Sequence, residues 1–152
     1  MNNSTSYWLK KGIHNGMPIA LGYLAVSFTL GIAAKNAGLT ALQAGLASIT
    51  CHASAGEFAG FTLIAALAAY TEIAVMELII NARYFLMSCA LSQKLDNKMP
   101  FFHRLIMGLF VTDEIFGLTV SVPEKLNPAY MYGMVLVASP AWVLGTYFGA
   151  LF

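Results

Sequence analysis

Five of the chain's seven acidic side chains, Glu57, Glu72, Glu77, Asp113 and Glu114, fall within or at the edge of apolar runs. Arg83 is the only base at comparable depth. Ionisable groups in such runs cost about 2.5–3.5 kcal/mol each on insertion scales, so they face a cavity or a partner. Glu72 reads as a residue at the membrane interface. The most polar stretch inside any apolar run is Cys51-His52-Ala53-Ser54-Ala55-Gly56-Glu57. His52 and Glu57 there can titrate and carry protons, and Asp113 is a further proton-coupling candidate. The alternative is a structural kink sealed by Ser54 and Glu57. Glu77, Asn81, Tyr84 and Ser88 recur at steps of four, three and four, which makes one polar helix face. That face lines a substrate path or forms a hydrogen-bonding seam between helices, and the spacing alone favours neither. Thr112-Asp113-Glu114 places two adjacent carboxylates about 100° apart on a helix. One can pair with Arg83 while the other meets water or cargo; an ion pair that only holds helices together is the equal alternative.

The elements that must position these groups follow from composition. Of 152 residues, 59% are hydrophobic and 10% charged, too few charges for the polar shell of a soluble domain and too much apolar side chain for disorder. Eight bases against seven acids leave no basic field for nucleic acid. Cys51 and Cys89 both sit in apolar runs and imply no disulfide framework. The class is an all-α integral membrane protein in a lipid bilayer, read as a single multi-spanning domain over 1–152.

A span needs about 20 mostly apolar residues. Met17–Ala34 satisfies this, with Pro18 in its first turn, where a missing N–H costs little. Thr40–Leu67 is about 42 Å long as one helix, too long for a comfortable crossing. The polar stretch in its middle predicts a break between Cys51 and Gly56, with half-helices Thr40–Cys51 and Gly56–Leu67. Gly56 would give the freedom for the reversal, and Ser54 or Ala55 would cap the second half. Glu72–Ser92, Phe101–Val122 and Ala129–Phe152 follow, the last with Pro140 as a kink. The expectation is about four full spans plus a broken, re-entrant helical hairpin at 40–67. With that hairpin, Lys10, Lys11, Lys94, Lys98 and Arg104 share one side against Lys35 and Lys125. The positive-inside rule then makes the amino terminus cytoplasmic. Gly56–Gly60 and Gly145–Gly149 are spaced for close helix contact.

The chain has no GxSxG, P-loop, HExxH or paired CxxC signature. The three histidines are scattered, which argues against a metal, and no cofactor is implied. The reading is not an enzyme.

Five ordered blocks carry a resemblance. Pro18-Ile19-Ala20-Leu21-Gly22-Tyr23 leading to Phe28-Thr29-Leu30-Gly31, His52 to Phe58, Asn81-Ala82-Arg83, Phe110 to Phe116, and Trp142-Val143-Leu144-Gly145-Thr146 resemble the AzlC-type (YgaZ-like) branched-chain amino acid permease family. The Thr-Asp-Glu block is the most specific of them. The resemblance implies a multi-spanning plasma-membrane permease that exports branched-chain or other neutral amino acids with a small hydrophobic AzlD-like subunit. Glu57 stands where that family usually has Gln. Family members also continue beyond the equivalent of Leu151-Phe152, so the chain is expected to match the amino-terminal portion of the large subunit.

Two functions compete. The leading one is a secondary transporter whose substrate-binding residues are Gly56, Glu57, Phe58, Asn81, Arg83, Asp113 and Glu114. Free N–H groups near Gly56–Phe58 and Arg83 would take the carboxylate, and Asp113 or Glu114 the ammonium. The alternative is a non-transporting structural subunit of a larger transport complex; a homo-oligomer is compatible with either.

Overall fold

The computed structural model describes residues 4–152, and these are helical with no strand among them. Seven helices follow in order among the described residues: α1 Thr5–Asn36, α2 Ala41–Cys51, α3 Ser54–Ala65, α4 Tyr70–Lys94, α5 Phe101–Leu109, α6 Asp113–Val120 and α7 Pro128–Leu151. Of these, α1, α4 and α7 are long and apolar enough to cross a membrane.

Local chemistry sets the helix ends. Ser4 Oγ accepts the Tyr7 N–H at 3.3 Å, so α1 starts at Thr5 rather than Met17. Pro18 therefore lies inside α1 and not in its first turn. Gly38, at φ +84°, ends α1: its N–H reaches Lys35 O and the Leu39 N–H reaches Ala34 O, a Schellman closure. Thr40 and Gln43 form a capping box on α2. Asn127 Oδ1 accepts the Ala129 N–H at 3.0 Å, with Pro128 as the first residue of α7. Pro140 lies within that helix without ending it.

The break expected in 40–67 is present, at His52-Ala53. His52 takes a left-handed conformation (φ 48°, ψ 39°) and Ala53 is extended. The reversal is therefore made at His52, and Gly56 is already helical. Ala53 is the N-cap of α3 and supplies no side-chain bond, so neither Ser54 nor Ala55 caps it.

Phe101–Val122 differs from the expected full span. It is a second broken pair, α5 and α6, interrupted at Phe110-Val111-Thr112. At about 14 and 12 Å, neither helix crosses a core of about 30 Å. Thr112 is extended and its Oγ1 accepts the Ile115 N–H at 3.4 Å, so the Thr-Asp-Glu block is a helix start. Asp113 and Glu114 sit in the first turn, where the positive end of the helix dipole favours carboxylates.

The chain divides into two compact units. One holds the chain up to Ile19 and Arg83–Ala138, hence α5 and α6 with the adjoining parts of α1, α4 and α7. Its core is Met107, Ile115, Met131 and Met134. Gly12 and Gly133 let α1 and α7 touch backbone to backbone, since a Cβ on Gly133 would lie 2.8 Å from Ile13 N. The segment after α6 is tied to the end of α4, the end that leads into α5. Lys94 Nζ donates to Val122 O at 2.6 Å, the Leu126 N–H to Lys94 O at 2.9 Å, and Lys125 Nζ to Gln93 O at 3.1 Å. Lys125 therefore lies beside Lys94, not opposite it as the span count implied. The miscount has one cause: α5–α6 returns to the side it entered from. Six bases (Lys10, Lys11, Lys94, Lys98, Arg104, Lys125) thus belong to one end, and Lys35 stands at the opposite end of α1.

The second unit holds Ala20–Ala82 and Ser139–Phe152, hence α2 and α3 with the remaining parts of the three long helices. Tyr23, Leu30, Ala44, Phe61 and Trp142 form its core together with the buried polar residues Ser27, Ser48, Glu57 and Thr146. Gly145 and Gly149 bring α7 against Leu24, Ser27 and Phe28 of α1.

Candidate functional sites at the two helix breaks

In the second unit the break positions Glu57, which is only 2% exposed. Its Oε1 accepts the Trp142 indole N–H at 2.7 Å and the Ser48 hydroxyl at 3.4 Å. Ser48 Oγ in turn lies 2.9 Å from Thr146 Oγ1, and Thr146 donates to Trp142 O at 3.2 Å. Three elements, α2, α3 and α7, thus fix one carboxylate oxygen. The other, Oε2, is buried with no hydrogen-bond partner. The His52 ring is buried against Trp142 (centroids 6.0 Å apart) and Tyr23 (6.5 Å), with Tyr23 and Trp142 at 5.0 Å.

Glu77 and Asn81 of α4 meet the same hairpin. Asn81 Nδ2 donates to Glu77 Oε2 at 2.7 Å, and Cys51 Sγ approaches that oxygen at 3.8 Å. Gly56 is what admits them: a Cβ there would stand 2.7 Å from Glu77 Oε2 and 3.0 Å from Asn81 Nδ2. On Gly60 it would stand 3.1 Å from Glu77 Oε1. The glycine serves close approach, not chain reversal. Asn81 Oδ1 is a second buried oxygen without a partner. A cavity of about 280 Å3 is lined by Thr50, Cys51, Glu57, Phe61, Ile64 and Glu77, with Ala47 and Gly60. Its lining holds two carboxylates and no base.

Of the N–H groups expected to be free at Gly56–Phe58, that of Gly56 lies in the first turn of α3 and those from Glu57 onward lie beyond it. The Glu57 N–H is bonded to Ala53 O at 2.8 Å, and α3 already begins at Ser54. Phe58 is exposed and takes no part in the network.

In the first unit the ion pair expected of Arg83 is present: Nη1 lies 2.7 Å from Asp113 Oδ2, and both side chains are nearly half exposed. The guanidinium also sits 5.1 Å from the Tyr84 ring centroid. Glu114 points elsewhere, as adjacent helix positions require, and lines a cavity of about 470 Å3 with His14, Asn15, Pro18, Ile19 and Leu118. The sequence-derived residues therefore fall into two groups, Gly56, Glu57 and Asn81 with His52 in one unit, and Arg83, Asp113 and Glu114 in the other. Among the described residues no group of three His, Cys, Asp or Glu side chains is arranged for a metal ion.

Sequence reasoning missed Trp142, Ser48 and Thr146 as partners of Glu57. The available signal was the i, i+4 pair Trp142 and Thr146, two polar-capable groups on one face of the last apolar run.

Comparison with known proteins adds the family. A membrane protein of Archaeoglobus fulgidus is 34% identical over 97% of this chain and 64% of its own length. Inner membrane protein YgaZ of Escherichia coli is 23% identical over 92% of this chain and 59% of its own. A membrane protein of Helicobacter pylori is 26% identical over 93% of this chain and 63% of its own. The chain thus spans about three-fifths of the length of the curated relatives it matches. No solved structure matches it. The family model described as AzlC protein matches residues 18–152, from the Pro18 block through the carboxyl-terminal helix, and the chain belongs to the AzlC family of membrane proteins.

Proposed function

We propose that this protein is a secondary transporter that exports branched-chain or other small neutral amino acids across the plasma membrane. Its amino terminus is cytoplasmic, by the six-to-one distribution of bases, and it works with a small hydrophobic AzlD-like subunit. Membership of the AzlC family supports membrane transport, and the Escherichia coli relative is by its name an inner membrane protein. One observation carries the reading: each unit holds a helix pair broken at ionisable residues, Glu57 at one break and Asp113 with Glu114 at the other. Unwound backbone at membrane depth is tolerated where it is buried in protein or lines a cavity, and in transporters such breaks form the binding sites. The Glu57–Glu77 cavity, acidic with an apolar wall of Phe61 and Ile64, suits a positively charged group beside an aliphatic one. No catalytic step is part of this reading.

Export from cells preloaded with branched-chain dipeptides tests it, with and without the small subunit. Efflux should rise with the protein and fall on Glu57→Gln, Arg83→Gln or Asp113→Asn at unchanged membrane abundance. Loss of assembly before loss of flux would instead favour a non-transporting subunit.

A further inference from the structure

The Glu57 break holds more oxygen than the protein itself uses. We infer that it is a binding site for a dehydrated monovalent metal cation, sodium in particular, held by Glu57 Oε2, the Glu77 carboxylate and Asn81 Oδ1. This deepens the transport reading by naming a coupling ion, and rests on it for the coupling though not for the binding.

Two observations beyond the acidity carry it. First, Glu57 Oε2 and Asn81 Oδ1 are each buried and each lack a hydrogen-bond partner, although the side chains themselves are tethered. Oε1 of Glu57 is held by Trp142, and Nδ2 of Asn81 by Glu77. Stranded buried acceptors are destabilising, so a group that accepts their lone pairs is stabilised there. Second, α2 ends at this break, and the last carbonyls of a helix have no intrahelical N–H partner. Thr50 and Cys51 belong to that last turn and line the cavity with Glu57 and Glu77. Half-helix carboxyl ends and unwound carbonyls are donors that suit sodium.

The same geometry selects among cations. A proton on Glu57 makes no use of the helix-end carbonyls. Transition metals want softer donors, and among the described residues no group of three His, Cys, Asp or Glu is arranged for one. Carboxylate, amide and helix-end carbonyl oxygens are hard donors of the kind that hold sodium at broken helices.

Trp142 is a built-in reporter, being bonded to the carboxylate in question and one of only two tryptophans. The test uses the 152-residue chain in lipid nanodiscs with Trp8→Phe, titrated with NaCl against KCl and choline chloride at constant ionic strength. Sodium should change the Trp142 emission saturably, potassium and choline should not, and Asn81→Leu or Glu57→Gln should weaken the response at least about tenfold, or about 1.4 kcal/mol. The inference is overturned if emission follows pH or leucine but ignores sodium, or if the sodium response survives both Glu57→Gln and Glu77→Gln. Should a variant misfold, the wild-type contrast of sodium with potassium and choline still decides. Sodium binding without leucine efflux would retain the site and remove the transport reading; efflux without a sodium response would do the reverse.

Discussion

Trp142 on α7 and Glu57 on α3, 85 residues apart, are joined by a 2.7 Å hydrogen bond from indole N–H to carboxylate, and both side chains are buried. This bond ties the hairpin to a membrane-spanning helix and fixes which carboxylate oxygen remains open. Trp142→Phe keeps the ring packing against Tyr23 and His52 but leaves Oε1 with Ser48, at 3.4 Å, as its remaining donor. The expected loss is about 1.5–3 kcal/mol, the worth of a hydrogen bond to a charged group. Thermal unfolding in detergent should show a lowered midpoint, and an unchanged midpoint would mean that the bond contributes no stability.

Glycine substitutions separate close approach at backbone from close approach at side-chain ends. A Cβ on Gly149 would lie 2.8 Å from Phe28 C, where only backbone can give way, so Gly149→Ala should cost about 1–3 kcal/mol by overpacking. A Cβ on Gly56 meets the ends of Glu77 and Asn81, which can swing aside. Gly56→Ala should therefore spare stability relative to Gly149→Ala and reduce efflux more. Gly22, where an added methyl would meet nothing within 4 Å, is the control, and Gly22→Ala should be neutral or slightly stabilising. Thermal midpoints and efflux measured on the three variants check the order.

Arg83 and Asp113 form one charge pair at 2.7 Å, so their single substitutions should not add. Arg83→Gln and Asp113→Asn should each lower the thermal midpoint slightly without changing membrane abundance, and the double variant should recover part of the loss. A coupling of about 0.5–1 kcal/mol is expected for side chains this exposed, at the low end for residues in contact. Strict additivity in a double-mutant cycle would show the pair to be energetically silent.

The topology is open to a direct measurement. In a Cys51→Ser, Cys89→Ser background, cysteines introduced at Asn97 and Glu124 should both resist an impermeant thiol reagent in intact cells. One at Asn36 should label. Labelling at Glu124 alone would restore a full span at 101–122 and contradict the α5–α6 return.

Composition alone determined the class of this protein, because 59% hydrophobic residues with 10% charge have no soluble solution. The break in 40–67 was legible too, since a polar run in an over-long apolar segment leaves few alternatives at membrane depth. So was the Arg83–Asp113 pair, a lone base among acids. Phe101–Val122 misleads because its length fits one span and Thr112-Asp113-Glu114 reads as charge rather than as a helix cap. That error puts Lys125 at the wrong end. Other features belong to tertiary structure alone. The reversal at His52 is a left-handed non-glycine residue, which local preference disfavours and packing against Tyr23 and Trp142 accompanies. The start of α1 at Thr5 rests partly on Lys11 and Trp8 meeting Tyr130 across the helix pair. The partners of Glu57 come from positions 48 and 142, and no periodicity along the chain relates residues on different helices; only their packing decides which oxygen is satisfied and which is left for a ligand.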